Sequence, residues 1–173
     1  MQCCFIGHRT IQNREELECL LKITVLKLIN RGVTTFLFGS KSAFNDLAWE
    51  VVTELKARHP SIKRVYVRAS YQYIDKTYRD YLREAYEETY FPSKLEGAGK
   101  CSYVKRNYEM IDNSRYCVFY YNEKYIAPLR KINRKALMEA SRNSGTKVAY
   151  NYAVKNKKII INLYNQQGDL QQL

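Results

Sequence analysis

An α/β domain, a three-layer sandwich with a mainly parallel sheet, is what this sequence predicts, on three observations. Short apolar runs of strand length alternate with longer segments of helical periodicity. The runs are continuously apolar rather than alternating apolar and polar, as strands covered on both faces require. Finally, 173 residues with 46% hydrophobic and 13% aromatic content are enough for one domain with a packed core.

The elements follow in order. Residues 2–6 form a buried strand ending at Gly7. From Arg14, the apolar residues Leu17, Leu20, Leu21, Val25, Leu28 and Ile29 recur at helical spacing. Glu15, Glu16 and Glu18 sit near the positive end of that helix and Gly32 stops it. Residues 34–38 are β-branched and aromatic, a second strand that breaks into Gly39-Ser40-Lys41-Ser42. A helix over 44–58 carries Leu47, Ala48, Val51, Val52 and Leu55 on one face, before Pro60. Residues 64–68 are a third strand. Residues 71–99, rich in Tyr and charge, read as one helix and then a loop around Pro92, Gly97 and Gly99. A helix over 104–113 precedes a fourth strand at 116–121. Residues 122–143 read as a basic loop with a short helix. Ser144-Gly145-Thr146 opens a helix running to about 155, residues 158–163 form a fifth strand, and 165–173 form a polar tail after a single domain spanning 1–164.

Composition narrows the function classes. No apolar run approaches the ~18 residues of a membrane span. Arg9 follows only eight residues of the opening, against a signal-peptide layout, so a cytoplasmic protein without a membrane partner is expected. Five scattered cysteines with no CxxC pair read as reduced, mostly buried thiols, with no metal site. The net charge is +12, and the stretch from Glu123 to Lys158 supplies +8 of it, a field that attracts phosphate on a small ligand or on nucleic acid.

Ligands of open α/β sheets sit outside the carboxyl ends of the strands. Three loops leave strand ends with suitable residues: Gly7-His8-Arg9, Gly39-Ser40-Lys41-Ser42, and Asn122 with Glu123. Ser144-Gly145-Thr146 adds a helix N-terminus, whose free N–H groups suit phosphate. Arg9 has the guanidinium for bidentate phosphate contact. His8 reads either as a functional group or as a hydrogen-bonding side chain of the sheet edge. Lys41 is a ligand contact or plain surface, and Ser144 a contact or a helix cap. Neither GxGxxG nor GxxxxGK[ST] is present, which disfavours the usual NAD and ATP sites.

Four segments together carry a resemblance: Cys4-Phe5-Ile6-Gly7-His8-Arg9; Phe36-Leu37-Phe38-Gly39-Ser40 leading to Phe44-Asn45-Asp46-Leu47-Ala48; Met110-Ile111-Asp112-Asn113-Ser114; and Ser144-Gly145-Thr146-Lys147-Val148-Ala149. In this order, over about residues 2–163, the chain resembles the SLOG superfamily, which joins the Smf/DprA DNA-processing proteins to the LOG cytokinin-activating enzymes, and within it the YpsA-like branch. The resemblance implies a Rossmann-like fold and a pocket for a nucleotide or ADP-ribose-like ligand, touched by Gly7, Arg9, Gly39, Ser40, Asn45, Gly145 and Thr146. There are departures. Relatives often read Gly-Gly-Ala-x-Gly-Phe-Asp where this chain has Gly39-Ser40-Lys41-Ser42-Ala43-Phe44-Asn45. The LOG glutamates two and three residues after Gly-Thr are replaced by Val148 and Ala149, which can neither donate nor accept a proton.

The leading expectation is therefore a module that binds or senses a nucleotide-derived phosphate ligand, with no required cofactor and with a homodimer compatible with the sequence. One alternative is a nucleosidase or phosphoribohydrolase acting at ribose C1, for which Glu123, Asp46 and Asp112 are the candidate carboxylates, although Asp112 also suits a helix cap or tether. The other is a binder of single-stranded nucleic acid through the basic segment 124–158 and tyrosines interleaved with Lys/Arg (Tyr103, Lys105, Arg106, Tyr108, Tyr125).

Overall fold

A computed structural model describes residues 1–69, 74–126 and 144–165. The elements are β1 (Gln2–Gly7), α1 (Arg14–Asn30), β2 (Thr35–Phe38), α2 (Ala43–Lys56), β3 (Lys63–Val67), α3 (Lys76–Ala85), β4 (Glu88–Tyr90), α4 (Ser102–Asp112), β5 (Tyr116–Tyr120), α5 (Gly145–Lys155) and β6 (Ile159–Asn162). All strand pairs are parallel, in the order β4-β3-β2-β1-β5-β6. The chain builds outward from β1 to β4, then returns to place β5 on the other side of β1. With right-handed crossovers this sends the helices of the two halves to opposite faces. The result is a Rossmann-like three-layer sandwich.

The central strands β1 and β5 are continuously apolar because they are buried on both faces. Cys3 and Phe5 join the core beneath α1 and α2, where Phe5 packs 5.2 Å from Phe38 and 5.9 Å from Phe36, centroid to centroid. Their neighbours Cys4 and Ile6 join the second core with Leu37, Phe119, Met110 and Ala149, beneath α4 and α5. Cys3, Cys4 and Cys117 are buried free thiols, while Cys19 and Cys101 are exposed free thiols. Burial, chiefly, pushes Cys3 and Cys4 well above the usual thiol range.

The sheet has six strands rather than the five the sequence suggested. The added one, β4, lies inside the stretch read as a helix followed by a loop. Glu88-Thr89-Tyr90 has no apolar run to announce it, because an edge strand is stabilised from one side only. Lys63 Nζ pairs with Glu88 at 2.6 Å across the edge, and the backbone N–H of Arg64 donates to the Glu87 carboxylate at 2.7 Å. Most of the expected basic loop (127–143) and nearly all of the polar tail (166–173) lie outside the described residues.

Candidate functional site

β1 and β5 are neighbours whose outgoing connections diverge, to α1 on one face and α5 on the other, so their carboxyl ends form the switch point of the sheet. The first two candidate loops meet there. The Ala43 N–H donates to the Arg9 carbonyl at 3.0 Å, and the His8 N–H to the Tyr120 carbonyl at 3.2 Å. Gly7 lies against α2, and a Cβ there would overlap the Phe44 ring, so helix packing alone requires a glycine. Arg9 and Lys41 are exposed and Ser40 is half-buried.

His8 is 1% exposed, and its Nε2 accepts the Asn122 N–H at 2.9 Å. Its ring stacks on Tyr125 at 3.8 Å with planes 15° apart. Burial lowers its pKa to about 4, against a smaller opposing effect of the Asn122 backbone. An imidazole that accepts through Nε2 and is neutral at pH 7 supplies no positive charge to a phosphate. Asn122 is engaged as well: its Nδ2 donates to Tyr164 Oη at 2.8 Å, and its Oδ1 accepts the Lys124 N–H at 2.9 Å. The two residues form a clasp that joins β1 to the chain leaving β5.

Ser42 caps α2, its Oγ accepting from the Asn45 N–H and from Asn45 Nδ2, both at 3.2 Å. Asn45 is 3% exposed, and its Oδ1 has no hydrogen-bond partner among the described residues. At α5, Ser144 is a helix cap as well, accepting the Lys147 N–H at 3.1 Å. Thr146 is buried, and the space where a Gly145 Cβ would stand is open. Among the described residues, no hydrogen bond ties Ser144, Gly145 or Thr146 to the first two loops.

The most telling residue is Arg106, which the sequence reading named only among the basic residues of the nucleic-acid alternative. Gly39 ends β2 in contact with α4, and a Cβ there would stand 2.6 Å from Arg106 Cδ and 2.7 Å from Met110 Sδ. The missing side chain makes room for Arg106, which is 2% exposed beneath the strand end. Its Nε donates to Asn107 Oδ1 at 3.1 Å, and no carboxylate pairs with it among the described residues. Burial lowers its pKa to about 10, with Tyr66, Tyr103 and Tyr78 offsetting part of that, so it remains a cation at neutral pH. Holding a buried ion without a counter-ion costs several kcal/mol. The detectable signal was Arg106 four residues before Met110, a charge on the apolar face of α4.

The candidate carboxylates do not converge. Asp46 is exposed in the first turn of α2. Glu123 is exposed and faces Lys147 at 3.7 Å. Asp112 accepts from Tyr152 Oη at 3.0 Å and lies 3.5 Å from Lys94, tethering α4 to α5. Tyr108 and Tyr125 are stacked internally, on Tyr152 and His8. Arg130, Lys131, Arg134, Lys135 and Arg142 of the basic segment lie outside the described residues.

A hollow of about 550 Å³ lies elsewhere, over β2–β4 beside α4, lined by Thr35, Lys63, Val65, Glu88, Glu109 and Asn113. Its charges are neutralised in place, Lys63 by Glu88 and Glu109 by Lys94. We therefore place the candidate site by charge rather than by volume. Among the described residues, no three His, Cys, Asp or Glu side chains gather as a metal site, and no helix is long and apolar enough to cross a membrane. No protein-family model matches the chain, and no curated protein matches it.

Proposed function

We propose that this protein binds a phosphate-bearing ligand of nucleotide type above the carboxyl ends of β1 and β2, as a binding or sensing module. The observation that carries this reading is Arg106, a buried guanidinium that no carboxylate pairs among the described residues, beside the switch point. Guanidinium geometry suits a phosphate bidentately, and the ligand would supply the missing counter-charge. Lys41 and Arg9 add exposed positive charge from the neighbouring loops. The resemblance of the four segments to the SLOG superfamily supports the same class of ligand. The α5 N-terminus is a secondary contact in this reading.

Cleavage at ribose C1 is the weaker reading. Val148 and Ala149 replace the acids that such chemistry uses, and Asp112 is occupied as a tether. The test is a panel of AMP, ADP, cyclic nucleotides and ADP-ribose, by thermal shift and titration calorimetry. A true ligand at 100 times its Kd adds about 2.7 kcal/mol of stability. Absence of any hit, or a hit unaffected by Arg106→Met, overturns the reading. Release of free base in the same incubations would move the protein to the enzyme class.

A further inference from the structure

The outer surface of α1 differs from that of its neighbour α2. On α2 the exposed residues are Asp46, Glu50 and Glu54, the polar exterior expected of a helix that covers a sheet. On α1 the inner face gives Leu17, Leu21, Val25 and Leu28 to the core. Between Glu16 and Asn30, its exposed residues are Cys19, Ile23 and Leu26. Ile23 is 43% exposed and Leu26 36%, so the helix is apolar on both sides. That is the pattern of a helix covered on both sides.

The outer stripe indicates the shape that covers it. Glu16, Cys19, Ile23, Leu26 and Asn30 are all exposed and follow one another at alternating intervals of three and four residues. This is the spacing of the seam along which two helices pack. The charges at its ends indicate which helix. Glu15 and Glu16 lie in the first turn, Lys27 lies in the last turn, and Arg31 follows at the cap. Two such helices running in the same direction would set acid against acid and base against base. Running in opposite directions, each sets its acids beside the bases of the other, and the helix dipoles favour the same arrangement. Lys27 and Arg31 also interact within their own chain, so the pairing uses the sign of the charge at each end. A twofold axis near Ile23 generates all of this from one surface, which makes α1 complementary to itself.

We propose that a second copy of this chain docks on α1, forming a twofold dimer through an antiparallel α1 pair with Cys19, Ile23 and Leu26 at its centre. The inference goes beyond the phosphate-binding reading and does not depend on it, because α1 covers the face of the sheet opposite α4 and its Arg106. One helix pair is small beside a standard interface of about 800 Å² per partner, so the dimer should dissociate in the micromolar range.

The test is sedimentation of the full chain from low micromolar to submillimolar concentration, under reducing conditions that keep the exposed thiols of Cys19 and Cys101 from cross-linking. A reversible monomer–dimer equilibrium is expected. Ile23→Glu changes only an exposed position and sets two carboxylates near the axis. It should weaken the dimer at least about tenfold with little change in the thermal melt, while Ile23→Leu keeps the dimer. The charges are tested by mixing. A chain with Glu15→Lys and Glu16→Lys, and another with Lys27→Glu and Arg31→Glu, should each dimerise more weakly than the wild type. Their equimolar mixture should form a heterodimer, since both ends then carry opposite charges. Thermal melts check that each variant folds, and the Ile23 variants decide alone if a charge variant does not. A monomer at every concentration overturns the proposal and leaves the α1 face to a different protein. A dimer that Ile23→Glu does not weaken, or folded charge variants that fail to recover on mixing, overturns it in favour of another surface.

Discussion

Arg64 on β3 and Arg106 on α4 are buried to a similar degree, 9% and 2% exposed, in opposite company. Arg64 is fully answered: Nη2 and Nε donate to the Glu87 carboxylate at 2.7 and 3.2 Å, Nη1 donates to Thr53 Oγ1 at 2.9 Å, and the guanidinium lies 5.5 Å from the Trp49 ring. Among the described residues, Arg106 has one neutral acceptor, Asn107, and no acid. The first arrangement fastens the β3–β4 edge to α2 and asks nothing of a ligand. The second leaves a desolvated charge open at the end of the sheet where α/β proteins bind anions. What separates a structural arginine from a candidate binding arginine here is the satisfaction of its donors, since burial is nearly the same.

The largest expected effect breaks the structural member of the pair. Arg64→Ala leaves the partly buried Glu87 with only Lys56, 3.7 Å away, and removes the tie to Thr53, and should cost about 3 kcal/mol in urea unfolding. A loss under 1 kcal/mol would mean that the edge is held by packing alone.

Next in size is the clasp beside the site. The folded pKa of His8 is about 4 against an ordinary 6.5, so the unfolded chain takes the proton first as pH falls. Stability from this group is present in full above pH 6.5 and is lost between pH 6.5 and 4, by up to about 3 kcal/mol. His8→Gln should flatten that part of the stability–pH curve relative to the wild-type chain. Parallel curves for the two proteins would remove His8 from the account of acid sensitivity.

A smaller effect probes the tether between the two helices that cover the Arg106 face. Tyr152→Phe removes the hydrogen bond to Asp112 but keeps the stack on Tyr108, and should cost about 0.5–1 kcal/mol in the same unfolding experiment. A larger loss would assign Asp112 more than a tethering role.

Legibility in the sequence followed the same division. Elements with their own hydrophobic signal were readable: the apolar run of β1, the α2 face from Leu47 to Leu55, and the apolar core of β5. The strand β4 was not, because its stability comes from Lys63, Arg64 and their acids across the edge, and such pairing leaves no periodicity in Glu88-Thr89-Tyr90. At the strand ends, the sequence named candidate loops but could not say what each side chain faces. Gly7 and Gly39 read as openings for a ligand, and the atoms filling those openings belong to Phe44 and Arg106. His8 and Asn122 read as candidate contacts, and they bond to the protein itself. Arg106 was named only among the basic residues interleaved with tyrosine in the nucleic-acid alternative, since burial away from any carboxylate of the described residues is a property of the packed state.

The central claim is that Arg106 is retained for a ligand's charge rather than for the fold, and Arg106→Met separates the two directly. Unfolding of the ligand-free variant, followed by calorimetric titration with AMP, is the measurement. The account predicts that removing an unpaired buried charge leaves stability unchanged or raises it by about 1 kcal/mol, while AMP binding falls by at least tenfold. A variant that loses stability as Arg64→Ala does, or that binds AMP as well as the wild-type chain, would contradict it.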